Sequence, residues 1–387
     1  MMRYDFDQII DRRNSACHRY DNDPTGRRIC LGIADMDFAV APPIVEALQR
    51  RLSHPIYSYT LDESRRYDAV IHWQSTRHGF TPNRQDIVWI PSVMCAISWL
   101  LRILTKPGDG IIIQPPVYTP FVSTIRVNQR TVVENRLLYS EETGWAVDWN
   151  GLEDAFRKTG AKVLLLCSPH NPVGMYFTRE QLARMVEICR RHGAYLIADE
   201  THSDFYFHGN VHTPIFQAGP QADDCCVLLT STSKSFNLAG VNQAYAIIPN
   251  GELRSALSTV AAQNAAPANI FAFEAMIAAY TQCGDWMDQL CAYLSASADR
   301  ACRFINEEIP GWSIRKPEAT FFLWPRSDRP VAEIMPCLLD EALVEMRDGA
   351  QYNPMPGHNN LRMCFGTPQP ILMEALERIA AVLKKHR

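Results

Sequence analysis

Between residues 85 and 250 short apolar runs alternate with longer amphipathic stretches. IVWI (87–90), III (111–113), VLLLC (163–167), YLIAD (195–199), VLLT (227–230) and AYAII (244–248) have the length and β-branched content of buried strands. From Thr178 to His192, Leu182, Met185, Val186 and Cys189 recur at helical spacing. Thr178-x-x-Gln181 opens that stretch as a capping box. Strands divided by such helices imply crossover connections and a mostly parallel sheet covered on both faces, an α/β architecture. Ligand-contacting residues in such sheets gather just past the carboxyl ends of the strands.

The carboxy-terminal pattern is different. FFLW (321–324) and LRMCF (361–365) read as strands, and 331–347 and 370–385 as helical runs, an α+β arrangement. The first 45 or so residues show little regular pattern. At 387 residues the chain exceeds the length usual for one domain. The expected division is a large domain over 46–285 and a smaller α+β domain over 286–387. Residues 1–45 would pack with the smaller domain or with a partner subunit.

Composition removes several alternatives. The net charge is −4 and the longest basic run is terminal, Lys384-Lys385-His386-Arg387, so a nucleic-acid or anionic-membrane partner gains no support. No stretch has the length and apolarity of a membrane span, and the opening residues have no apolar signal region. Most of the twelve cysteines sit in apolar runs and none form a C-x-x-C pair. Reduced core thiols, a cytoplasmic location and no metal site are expected. No P-loop or G-x-G-x-x-G is present, which argues against ATP and dinucleotides.

The chemistry-bearing residues follow the strands. Lysine is scarce, seven against 31 arginines, and Lys234 alone lies directly after an apolar strand, in LLTSTSKSFNLAG. A lysine in a semi-apolar pocket has a depressed pKa and can form an imine. Asp199 ends YLIAD, where a carboxylate suits the pyridine nitrogen of pyridoxal 5′-phosphate. Asn171, in CSPHNPVG, is placed for the ring's phenolic oxygen, and Tyr118, in QPPVYTPF, for stacking on the ring face. Ser231 and Ser233 flank the lysine as phosphate donors. The turn PSVM (91–94) offers the Val93 and Met94 amides at a helix start. Singly, each has an ordinary alternative: a surface loop lysine, a turn aspartate, a turn asparagine before Pro172, a core tyrosine, a plain helix cap.

Taken in order, Tyr118, SPHNPVG, ADETHSD and STSKSFNLAG resemble the fold-type-I pyridoxal phosphate enzymes of the aspartate-aminotransferase superfamily over nearly the whole chain. More narrowly, ADMDFAVAPP (34–43), HPIYSYT (54–60), LLCSPHNPVG (165–174), DETHSD (199–204) and SKSFNLAG (233–240) resemble the MalY/PatB group of cystathionine β-lyases. Ordinary class I aminotransferases carry a phosphate-binding arginine eight residues after the lysine. Here that position is Asn242, as is common in the lyase group.

The resemblance implies further roles. Tyr59 would reach the phosphate from the neighbouring subunit of a homodimer, and His202 would act with Asn171 on the phenolic oxygen. Arg362, in NLRMCFG, would grip the substrate α-carboxylate, with Ala34 on the substrate side. On its residues alone, Arg362 is equally a surface strand residue. The implied reaction removes the α-proton of an L-cysteine S-conjugate or cystathionine-like substrate through Lys234, expels the thiol, and leaves pyruvate and ammonia. Transamination, or a specialised biosynthetic reaction, uses the same residues, and a non-catalytic regulatory protein on this fold is the rival of another class. Two places depart from the lyase pattern: Ser92 stands where many members have glycine, and QYNPMPGHNN (351–360) lacks the usual glycine-rich stretch.

Overall fold

The apolar runs pair into one sheet. The computed structural model describes residues 3–23, 25–207, 209–264, 269–352 and 359–386. Its seven-stranded sheet comprises β1 (Ile87–Ile90), β2 (Gly110–Ile113), β3 (Thr131–Glu134), β4 (Val163–Cys167), β5 (Tyr195–Asp199), β6 (Cys226–Thr230) and β7 (Ala244–Ile247). Their order is β1-β7-β6-β5-β4-β2-β3. Strand β7 is antiparallel to both neighbours, while the pairs β6–β5, β5–β4, β4–β2 and β2–β3 are parallel. All residues of β1, β2, β4, β6 and β7 are buried.

Continuous apolar runs mean that both faces are covered. Val163, Leu165 and Cys167 of β4 face one core with Ile97, Leu100 and Leu101 of α1 (Val93–Leu104). Leu164 and Leu166 face the other with Leu182, Met185 and Val186 of α2 (Arg179–Arg191). The start of α2 is the expected capping box: Thr178 Oγ1 accepts from the Gln181 amide at 3.3 Å, and Gln181 Oε1 from the Thr178 amide at 2.9 Å. Among the described residues no helix is long and apolar enough to cross a membrane.

Towards the carboxyl end one expectation needs correction. The stretch 331–347 is not one helix. Its helix covers Val331–Asp340, then Leu343 takes a left-handed backbone (φ 55°) and the chain turns into two short strands. Val344–Glu345 pairs in parallel with Ile29–Cys30, and Arg347–Asp348 lies antiparallel to Leu361–Cys364. The physical reason is alternation: Val344 and Met346 are buried while Glu345 and Arg347 are less so, a period of two that a long-range strand partner rewards. The other strands of this part, Phe322–Leu323 and Leu361–Cys364, are shorter than read from sequence, and the last helix is Gln369–Lys385.

The loop after β4 is held tightly. Gly174 has φ +71°, and a Cβ there would lie 2.6 Å from Pro317 Cβ and 3.0 Å from the Ala319 carbonyl oxygen. Replacement of Gly174 by Ala is expected to lower stability by about 1–3 kcal/mol through strain and overpacking. The midpoint of urea unfolding checks this; a midpoint equal to wild type refutes it.

Candidate active site

Parallel strands send their following loops to one edge of the sheet, and the predicted residues collect there. Ser92–Met94 follow β1, Tyr118 follows β2, Asn171 follows β4, Asp199 ends β5, and Ser231–Lys234 follow β6. Together with Ala34 and His202 they line a cavity of about 300 Å³. Arg362 is not part of that lining but stands beside it, its Nη1 3.4 Å from Asn171 Oδ1. Tyr59 is not brought in: it is fully exposed, on a segment where Ile56, Tyr57 and Leu61 are also exposed. Of the unusual 351–360 loop, residues 353–358 lie outside the described residues.

Lys234 Nζ donates to the Ala34 carbonyl at 2.6 Å. Burial lowers its pKa from the ordinary lysine value; nearby Asp35, Cys364 and Asp199 act against this and Arg362 reinforces it. A smaller fraction of its charge therefore survives at neutral pH, the condition for a lysine base or nucleophile. Asp199 is 8% exposed, and burial raises its pKa against the hydrogen bonds of Thr201. The Thr201 amide and hydroxyl both donate to Oδ1, at 3.1 and 2.5 Å. Oδ2 has no hydrogen-bond partner among the described residues. His202 is buried against Phe321 and Phe322, each ring 5.3 Å away. Burial, with Lys234 and Arg362 nearby, depresses its pKa and keeps the imidazole neutral. Tyr118 is pushed up to about 12, by burial first and Asp199 second, so it stays a phenol.

One end of the cavity gathers hydrogen-bond donors. The Ser92 hydroxyl caps α1 by accepting from the Cys95 amide at 3.2 Å. That leaves the first-turn amides of Val93 and Met94 as donors at the positive end of a twelve-residue helix. Ser231 and Ser233 share a 2.6 Å hydroxyl contact, and Asn242, at φ 37°, and Gln243 line the same cavity. Ser92 in place of glycine is thus a helix cap.

Arg362 is the clearest sign of an anionic ligand. It is 4% exposed, its Nε has no partner, and no ion pair forms with it among the described residues. Its guanidinium lies 4.3 Å from the Phe322 ring centroid and 5.1 Å from that of Tyr352. Burial lowers its pKa from the ordinary arginine value, as expected of a guanidinium held out of water without a counter-ion.

Residues that sequence reasoning did not single out support this layer from behind. Asp204, 3% exposed, accepts from Trp73 Nε1 at 3.1 Å and from the Ser235 hydroxyl, and lies 3.1 Å from His78 Nε2. Glu200 pairs with His212 at 2.7 Å, and the two histidine rings meet edge to face at 5.5 Å. The chain of contacts runs from the neighbour of Asp199 to the neighbour of Lys234. Asn237, in a left-handed turn (φ 57°), binds the Met36 amide and the Met36 and Phe38 carbonyls, fixing the segment that presents Ala34 to the lysine. The signal was position: all four of Glu200, Asp204, Ser235 and Asn237 lie inside the phrases around Asp199 and Lys234.

Comparison with known proteins agrees with this assembly. A family model described as aminotransferase class I and II matches residues 28–379. The chain is 35% identical over 360 residues to cystathionine beta-lyase PatB of Bacillus subtilis (strain 168), covering 91% of this chain and 92% of that protein. It is likewise 35% identical over 362 residues to protein MalY of Escherichia coli (strain K12), covering 92% and 90%. The crystal structure of cystalysin from Treponema denticola, which contains a pyridoxal 5′-phosphate cofactor, superposes with a TM-score of 0.95 at 27% identity, covering 100% of both chains. The donor set here fits that group: an amine of lowered pKa, a buried acid with one free oxygen, and an anion-binding helix start.

The raised pKa of Asp199 has a sign that can be tested without ligand. A group bound more tightly to its proton in the folded state stabilises the fold while protonated, and that contribution is lost as pH rises through the folded pKa. At pH 7 the ionised carboxylate is therefore a cost to the apoprotein. Asp199→Asn, which keeps Oδ1 for Thr201, is expected to raise the apoprotein Tm at pH 7. The gain should vanish below the ordinary carboxylate range, about pH 3.9; a pH-independent difference refutes the assignment.

Proposed function

We propose that this chain, which belongs to the class I and II aminotransferase family, is a pyridoxal 5′-phosphate-dependent carbon–sulfur β-lyase. Its substrate is an L-cysteine S-conjugate or a cystathionine-like amino acid, cleaved with one water to a thiol, pyruvate and ammonia. The observation that carries the reading is the buried Arg362, without a carboxylate partner, beside a cavity that holds a lysine of lowered pKa. That pair defines an α-amino acid: one group for the carboxylate, one for the amine and the α-proton. Asn242, where ordinary aminotransferases of this family carry arginine, and the name of the Bacillus subtilis relative, cystathionine beta-lyase PatB, favour elimination over amino transfer.

Each residue has a defined task. Val93 and Met94 amides, Ser231 and Ser233 would hold the phosphate of the cofactor, and Tyr118 would cover the ring. Asp199 keeps a proton on the ring nitrogen, which its burial and free oxygen suit it to do; Asn171 and neutral His202 serve the phenolic oxygen. Bound pyridoxal phosphate supplies the electron sink. Arg362 orients the substrate by its carboxylate. Lys234 would hold the cofactor through its amine, and that amine, of lowered pKa, would take the α-proton.

Several assembly features belong to the same proposal. Tyr59, exposed in one chain, contacts the phosphate of a second copy in a homodimer. Residues 46–285 form the cofactor-binding domain and 286–387 the smaller one. Residues 1–45 pack with the latter, in keeping with the pairing of Ile29–Cys30 with Val344–Glu345. All twelve cysteines are free, which suits the reducing cytoplasm.

The test is product formation. Purified protein with pyridoxal phosphate is expected to release thiol and pyruvate from an S-substituted cysteine without any keto acid. Lys234→Ala should lower that rate by about 10²–10⁴-fold and remove the visible absorbance of the lysine-bound cofactor. Turnover that requires a keto-acid acceptor rejects the lyase for an aminotransferase, and a wild-type protein that fails to take up the cofactor rejects both.

A further inference from the structure

Arg347 and Arg362 are register partners on the antiparallel strands Arg347–Asp348 and Leu361–Cys364. Directly opposed residues on such strands project to the same face, with Cβ atoms about 5 Å apart, and like charges placed so are destabilising. Here the two guanidinium groups also converge on a single acceptor. Arg362 Nη2 donates to the Gly32 carbonyl at 2.8 Å, and Arg347 Nε to the same oxygen at 3.4 Å. Among the described residues neither arginine has an ion pair. The proximity of Arg347 adds to burial in lowering the pKa of Arg362.

The surroundings explain how both groups fit, not why a second cation is there. A Cβ on Gly32 would lie 2.8 Å from Glu345 Oε1 and 3.3 Å from Arg347 Nε, so the missing side chain opens the space they occupy. Glu345 shares the face of Arg347 but acts on the Cys30 thiol, whose pKa is raised by burial first and Glu345 second. One bidentate guanidinium, that of Arg362, can take up an α-carboxylate. Arg362 is buried whereas Arg347 is partly exposed.

We infer that Arg347 is a second substrate-binding residue, and that the group carried on the substrate's sulfur bears a carboxylate. This rests on the lyase reading. The α-carboxylate occupies Arg362 and the carboxylate of the departing thiol occupies Arg347, so the ligand supplies both missing counter-ions. A hydrogen-bonded charge pair is worth about 1.5–3 kcal/mol, or roughly 10- to 150-fold in kcat/KM.

The probes are S-carboxymethyl-cysteine and its neutral amide, S-carbamoylmethyl-cysteine, which share shape and leaving atom. With the holoenzyme the acid is expected to exceed the amide by about 10- to 150-fold in kcat/KM. Arg347→Gln should erase that difference, mostly through the KM of the acid, and Arg347→Lys should restore part of it. Equal rates for acid and amide in wild type overturn the inference and leave the lyase reading standing. An Arg347→Gln loss that is the same for both compounds also overturns it, because that assigns Arg347 to the α-carboxylate or to folding. Calorimetric binding of the two compounds to the Lys234→Ala protein reports the same preference without turnover. Failure of every S-conjugate to release thiol therefore rejects the lyase reading separately.

Discussion

Strand direction is the constraint on which this molecule depends. Because β1, β2, β4, β5 and β6 run the same way, every segment that follows one of them emerges on the same edge of the sheet. Residues far apart in sequence, from Ser92 to Lys234, become walls of one cavity without any loop having to travel far. The continuous apolar runs that make these strands also make them costly to expose, since both faces are buried. The same residues that supply the core thus fix the aim of the site.

What the site adds to this frame is a set of charges held in poor solvent. Lys234, Asp199 and Arg362 are each moved by burial towards their neutral forms. None has a direct ion-pair partner among the described residues. In a protein built for stability alone this arrangement is a defect, because buried charge is tolerated when paired. A ligand carrying an anion, a ring nitrogen and a carboxylate reverses each deficit. Stability given up in the cavity becomes selectivity for what enters it.

Much of this was legible from sequence because the informative residues are local to strands. IVWI and VLLLC announce themselves as continuous apolar runs, and Asp199 and Lys234 follow such runs directly. The edge strand β3, TVVE, does not, since its end residues are exposed and it is four residues long. The stretch 331–347 misleads for the opposite reason: its helix is real up to Asp340, and the alternation of Val344 and Met346 becomes a strand through a partner near residue 29. The contacts of Asp204 with His78 and of Arg347 with Arg362 depend on tertiary register. No local pattern encodes which residue stands opposite which.

Asn237 gives this arrangement a consequence for how such chains diversify. Its side chain grips the backbone of Met36 and Phe38, and the Ala34 carbonyl next to that grip accepts from Lys234. The early segment is therefore wired to the reactive amine through main-chain atoms, which any residue type provides. The side chains of the segment add their own restraint, with Asp35 and Asp37 paired to Arg12 and Arg19 and Met36 and Phe38 buried in the core. Insertion or deletion of a single residue there shifts the acceptor away from the amine. In recombination between relatives with a junction in this stretch, chain length relative to Asn237 therefore decides which chimaeras keep a working lysine.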